Sequence, residues 1–390
     1  MITMRILARP LLALACVSAL GLAACSNSQY ASPQSAAQSA ETSTSASYPS
    51  TASSDATTSA TTEAPAPTVD VRAAAASLMM VGVRDFDDAL WALNQGAGGI
   101  FIGSDTNPEL LNVPGRDIAT LRAQVAHPFH VSIDFEGGRV LRFPEILGNF
   151  PSPQVMAQTM SPDQVRGMAF DMGTSLAQHG VTVNFAPVLD VDGANLDVVG
   201  DRSFSDDPAV AGSYAASFAQ GMLDAGVKPV FKHFPGHGRA SGDSHTGQVV
   251  TPPLADVEQF DLVPYNTALS VTGAGVMVGH MVVPGLGEYL PSSLNPAAYQ
   301  LLRSGSYPGG RPFDGVVYTD DLSGMKAVSD LMPPQQAAIT ALEAGADQAL
   351  WISTAGLDEA IDGVVAAVNS GQYPREQFDR SVARVKLQFA

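Results

Sequence analysis

The sequence predicts a (β/α)8 TIM barrel. Three observations carry that expectation: short apolar runs recurring along one stretch of chain, capped helical segments between them, and polar residues gathered where the runs end. The runs fall at 78–83, 99–102, 130–134, 181–187, 227–233, 275–280, 315–320 and 348–352. Eight strands alternating with helices in one chain fit a closed barrel first and an open doubly wound sheet second.

The helical segments carry their own signals. Ser161-Pro162-Asp163-Gln164 reads as an N-cap with Pro in the first turn and a Gln able to complete a capping box. Val165, Met168, Met172 and Leu176 then recur at helical spacing, and Gly180 supplies the stop. A second helix is expected from Pro208 through Val210, Tyr214, Phe218 and Met222 to Gly226.

Ahead of the barrel, residues 1–24 read as an export leader: Arg5 and Arg9, an apolar run to Leu22, then Ala23 and Ala24 before Cys25. Leu22-Ala23-Ala24-Cys25 resembles a bacterial lipobox, which makes Cys25 the expected lipidated N-terminus. Residues 25–68 are rich in Ser, Thr, Ala and Pro, with almost nothing large and apolar to offset ordering entropy, so a flexible tether is expected there. The barrel is expected to occupy 69–390.

Composition narrows the function. The 390 residues are 45% hydrophobic and carry a formal charge of −18 without a long basic run, which argues against nucleic acid as a partner. The 2 cysteines, Cys16 and Cys25, both lie in or beside the leader, so the barrel is expected to hold no disulfide and no cysteine-based metal site. Membrane contact is expected through lipid alone, and the protein is expected to act as a monomer.

Barrel chemistry is built at the C-terminal ends of strands. Asp134 ends the third run, Asn184 and Asp190 close the fourth, Lys232 and His233 the fifth, His280 the sixth, and Asp320 with Asp321 the seventh. The segment 232–245 also brings three histidines, His233, His237 and His245, into a Gly- and Pro-rich loop. No H-E-x-x-H helix or phosphate-loop pattern is present, so neither a metal nor a nucleotide cofactor is expected. His237 reads as part of the loop's architecture. Asp243-Ser244-His245 makes chemical sense as an acid/base dyad, because a carboxylate beside an imidazole stabilises its charged form and fixes its tautomer. Asp320 is then a candidate anionic nucleophile, the second group that retaining glycoside hydrolysis requires.

Five blocks sharpen this. They are Lys232-His233-Phe234-Pro235-Gly236-His237-Gly238 with Asp243-Ser244-His245; Ser132-Ile133-Asp134-Phe135-Glu136-Gly137-Gly138-Arg139-Val140; Asn184-Phe185-Ala186-Pro187-Val188-Leu189-Asp190; Gly200-Asp201-Arg202-Ser203-Phe204; and Tyr318-Thr319-Asp320-Asp321-Leu322. In them the chain, from about residue 71 onward, resembles glycoside hydrolase family 3 in its β-N-acetylglucosaminidase branch. The resemblance implies that Asp320 attacks the anomeric carbon and that His245, oriented by Asp243, first protonates the leaving oxygen and then activates water. It also implies that Asp134, Arg202, Lys232 and His233 bind the nonreducing sugar, with Arg142, Asp190 and His280 as further contacts. A neutral imidazole repels an incoming anion less than a second carboxylate does, so phosphate stands beside water as an acceptor to test.

Two departures follow from the same comparison. Phe135 stands where the family commonly has Gln, a difference expected to alter detail in the sugar subsite. The chain ends at Ala390, soon after the eighth run, so the second sandwich domain that many members carry is not expected. Those members draw their acid/base from elsewhere, and a His in the barrel loop makes the extra domain unnecessary. Peptidoglycan fragments with terminal β-linked N-acetylglucosamine are the expected substrate, and chitin fragments fit the same chemistry. A β-glucosidase or broad exoglycosidase of the family shares the nucleophile but not the Asp-Ser-His loop. A non-catalytic sugar-binding lipoprotein is the remaining alternative, and it would have no use for Asp320 with Asp243 and His245.

Overall fold

The computed structural model describes residues 70–388. The leader, Cys25 and the tether expected at 25–68 lie outside the described residues.

Each apolar run holds one strand: β1 (Met79–Gly82), β2 (Gly99–Ile102), β3 (His130–Ile133), β4 (Val183–Asn184), β5 (Lys228–Phe234), β6 (Gly275–Val278), β7 (Val317–Thr319) and β8 (Ala349–Trp351). Neighbours pair in parallel in the order β8-β1-β2-β3-β4-β5-β6-β7. The ring closes where Tyr318 bridges Gln348 and Thr319 N donates to Gln348 O at 3.0 Å. This is the closed barrel and not the open sheet. Helices cover the outside while side chains fill the inside, so the strand residues are buried almost throughout, which is why they read as continuous apolar runs.

The capping box forms as the sequence predicts: Ser161 Oγ accepts from Gln164 N, and Gln164 Oε1 accepts from Ser161 N at 2.8 Å, at the start of the helix Pro162–Gln178. The next helix, Pro208–Asp224, departs in one respect from expectation. Val210 is 39% exposed, while Phe218 and Met222 are buried as expected, beside the small residues Ala211, Gly212, Ala215 and Ala219. The cause is close packing against the preceding helix: a Cβ on Gly221 would lie 2.2 Å from Arg166 O, so small residues are needed where large apolar ones were expected. One element was not foreseen. Directly after β3 the chain makes an antiparallel hairpin, Phe135–Gly137 with Val140–Leu141, standing at the mouth of the barrel.

Among the described residues no helix is long and apolar enough to cross a membrane.

Candidate active site

Asp320 follows β7, at the C-terminal end of the barrel. Its Oδ1 accepts from Asp321 N at 2.9 Å, which leaves Oδ2 facing His233 Nε2 at 3.9 Å. Burial works against ionisation here, but the neighbouring His233 and His280 and the Asp321 N–H outweigh it and bring the carboxyl down to about 2. Asp320 is therefore an anion at any pH near neutrality.

Around it stands a buried ionic cluster. Lys232 Nζ, at the end of β5, lies 2.7 Å from Asp134 Oδ1 and 2.7 Å from Glu136 Oε1. Arg202 clasps the same Glu136 with two bonds of 2.7 Å, from Nε to Oε2 and from Nη2 to Oε1. Arg142 completes the group, Nη2 to Asp134 Oδ2 at 3.5 Å. Burial penalises each charge, yet the opposite charges prevail: Glu136 is held well below the usual carboxylate range, and Lys232 is raised. Glu136 was absent from the residues singled out in the sequence, although it lies in a block that was; its side chain is fully buried between two cations.

A second cluster hangs from Asp190, after β4. Its Oδ2 lies 2.6 Å from His233 Nδ1, and its Oδ1 accepts from His237 N at 2.7 Å. Burial again opposes ionisation, and His233 and His237 reverse it. His237 Nε2 in turn meets Ser244 Oγ at 3.3 Å, and Ser244 O accepts from Ala327 N at 3.1 Å. The loop after β5 is thus tied to the loops after β4 and β7. Gly238 allows this course, because a Cβ there would lie 1.7 Å from Val191 O. At the loop's tip, His245 Nδ1 lies 2.6 Å from Asp243 Oδ1, which also accepts from His245 N at 2.9 Å. The ring is 57% exposed, so Nε2 is the nitrogen left for chemistry. His237 has the loop-building position that its sequence context suggested.

These groups enclose two adjoining compartments of one cleft. The smaller, about 170 Å³, is lined by Glu136, Arg202, Lys232 and His233 among others. The larger, about 300 Å³, is lined by Arg84, Phe101, Asp105, Thr106 and Ile352 among others. Asp134, Arg142, His245, Asp320 and Met325 line both. The nucleophile and acid/base candidates, distant in sequence, meet at the boundary between the two.

Three more residues are placed by their contacts. His280 lines neither compartment: its Nε2 donates to Asp321 O at 2.8 Å, its Nδ1 meets Ser293 Oγ at 2.7 Å, and burial lowers its pKa. It props the β7 loop from behind. Asp190 lines the smaller compartment, and its two oxygens are engaged by His233 and His237. Phe135 points into the core, packed edge-on against Phe150 at 5.8 Å, while its backbone is held by Asn184. It therefore does not touch the subsite.

Residues 69–387 match the model of the glycosyl hydrolase family 3 N-terminal domain. The chain is 48% identical over 317 residues to a protein named beta-hexosaminidase LpqI from Mycobacterium tuberculosis, covering 80% of this chain and 81% of that one. Among solved structures, a glycosyl hydrolase of the same family from Mycobacterium smegmatis superposes with a TM-score of 0.80 at 48% identity, covering 82% of this chain and 97% of that one. A family 3 beta-N-acetylglucosaminidase from Paenibacillus superposes with a TM-score of 0.75 at 29% identity, over 81% and 61% of the two chains.

Proposed function

The chain belongs to glycosyl hydrolase family 3, and from that premise we propose that Asp320 and His245 carry out retaining hydrolysis of terminal β-linked N-acetylglucosamine. It is a glycoside hydrolase of the β-N-acetylhexosaminidase type, as its relatives are named. The observation that carries the assignment of roles is the pairing of an ionised Asp320 with an Asp243-bound His245 across one cleft.

The chemistry follows from which atoms are free. Asp320 Oδ2 attacks the anomeric carbon from the α face, while His245 Nε2–H gives its proton to the departing oxygen. Asp243 steadies the resulting change of charge on the ring through Nδ1. Water then attacks the glycosyl ester, His245 takes its proton, and Asp320 leaves, so the β configuration is retained. Asp134, Lys232, Arg202, Arg142 and His233 supply charge-assisted hydrogen bonds to the hydroxyls of the terminal sugar. Glu136 and Asp190 hold those donors in place.

Peptidoglycan fragments are the proposed natural substrate, because the leader and Cys25 suggest an exported protein lipid-anchored at the outer face of the cell membrane and acting there as a monomer. The test is release of 4-nitrophenol by the purified chain from its N-acetyl-β-glucosaminide and its β-glucoside, beside Asp320→Ala and His245→Ala. Strong preference for the N-acetyl substrate, lost in Asp320→Ala, supports the reading; a folded protein that turns over neither substrate returns it to sugar binding.

A further inference from the structure

Arg84, which lines the larger compartment, also lines a third cavity of about 570 Å³, together with Asp88, Trp91, Thr354, Asp358 and Glu359 among others. Arg84 follows β1 and residues 352–354 follow β8, so this cavity opens on the same end of the barrel as Asp320. Arg84 is the wall shared by the third cavity and the larger compartment.

Which way a substrate runs is set by the walls. The compartment of about 170 Å³ is surrounded by Glu136, Arg202, Lys232 and His233, groups already locked by ion pairs and suited to one terminal sugar. The bond to be cleaved sits between Asp320 and His245, so the departing part must enter the other compartment and continue toward Arg84. Beyond Arg84 the chemistry suits a sugar. Trp91 is a large aromatic that remains 42% exposed, where its face can stack on the C–H face of a pyranose. Beside it Arg84 and Asp88 form a polar edge: Arg84 Nε and Nη2 donate to Asp88 at 3.2 and 3.3 Å, and Thr354 Oγ1 donates to Asp88 at 2.9 Å. The combined size is within the range of sites that hold extended ligands.

We propose that the larger compartment and the Trp91 cavity form one leaving-group tract that binds at least two sugar residues beyond the cleaved bond, with Trp91 as its stacking platform. This rests on the glycosidase reading above and extends it to the length of the substrate: the enzyme removes the terminal sugar of a chain that it grips further along.

The test compares the purified chain on chitobiose and chitotetraose, each normalised to the 4-nitrophenyl N-acetyl-β-glucosaminide so that differences in folded enzyme cancel. The expected result is a kcat/KM about tenfold higher for the tetrasaccharide, an advantage reduced to within about twofold by Trp91→Ala and largely kept by Trp91→Phe. Equal kcat/KM for the two lengths, or an advantage that survives Trp91→Ala unchanged, overturns the tract while leaving the glycosidase standing. No release from the aryl substrate at all overturns both.

Discussion

Lys232 Nζ lies 2.7 Å from Glu136 Oε1, a carboxylate that Arg202 clasps at the same time through both of its oxygens. The lysine is 3% exposed and the glutamate side chain fully buried, so neither charge has water to fall back on. Removing one partner of such a group leaves the others uncompensated. Glu136→Gln is expected to destabilise the barrel by about 3 kcal/mol, seen as a lower Tm in thermal unfolding, and to raise KM by releasing Arg202 and Lys232. An unchanged Tm would show that the two cations find other partners.

Asp320 is held at about 2 because cationic and polar neighbours outweigh its burial, so the acid limb of the activity profile does not come from the nucleophile. Asp320→Gly is expected to lower kcat by about ten-thousandfold while leaving the fold intact. Azide should then restore release of 4-nitrophenolate and yield the α-glycosyl azide, identified by NMR. Formation of the β-azide would assign the nucleophile to another group.

Asp243 Oδ1 lies 2.6 Å from His245 Nδ1 and also accepts from His245 N at 2.9 Å, so it fixes the orientation of the ring. Asp243→Asn keeps a hydrogen-bonding group but removes the anion, and is expected to lower kcat by about tenfold or more on the aryl substrate while leaving Tm within a few degrees of the wild type. An unchanged kcat would show that the carboxylate has no part in setting the ring.

Stability should be acid-sensitive through buried histidines. Burial lowers the pKa of His237 and His280, and burial assisted by Lys228 and Arg122 brings His130 down to about 3. In the unfolded chain a histidine takes its proton at about 6.5. Between that pH and the folded values the unfolded state binds more protons, so the stabilisation is complete above about 6.5 and is lost progressively below it. Tm is expected to fall between pH 7.5 and pH 5, and a flat profile over that interval would contradict the neutral state of these rings.

The strands were legible because each is buried on both sides and reads as an unbroken apolar run; the site was legible because polar residues interrupt those runs at their ends. That rule places a residue at the mouth of the barrel without saying which way it points. His280 met the rule as well as Asp320 did, yet its ring turns behind the β7 loop toward Ser293 and Asp321 O. Glu136 escaped notice for the opposite reason. It sits in a hairpin that no periodicity announces, and its partner Arg202 is 66 residues away, so its importance appears only when the fold brings them together. Phe135, which stands where the family commonly has Gln, is expected to alter the sugar subsite, but alternation along the hairpin sends it to the other face, into the core.

Asp190 binds the ring of His233 with one oxygen and the backbone of the loop bearing His245 with the other. Under the proposed roles, recognition of the sugar and delivery of the proton share a single anchor. Substitutions in either arm are therefore expected to show epistasis with substitutions in the other, so that the two traits drift together over evolutionary time.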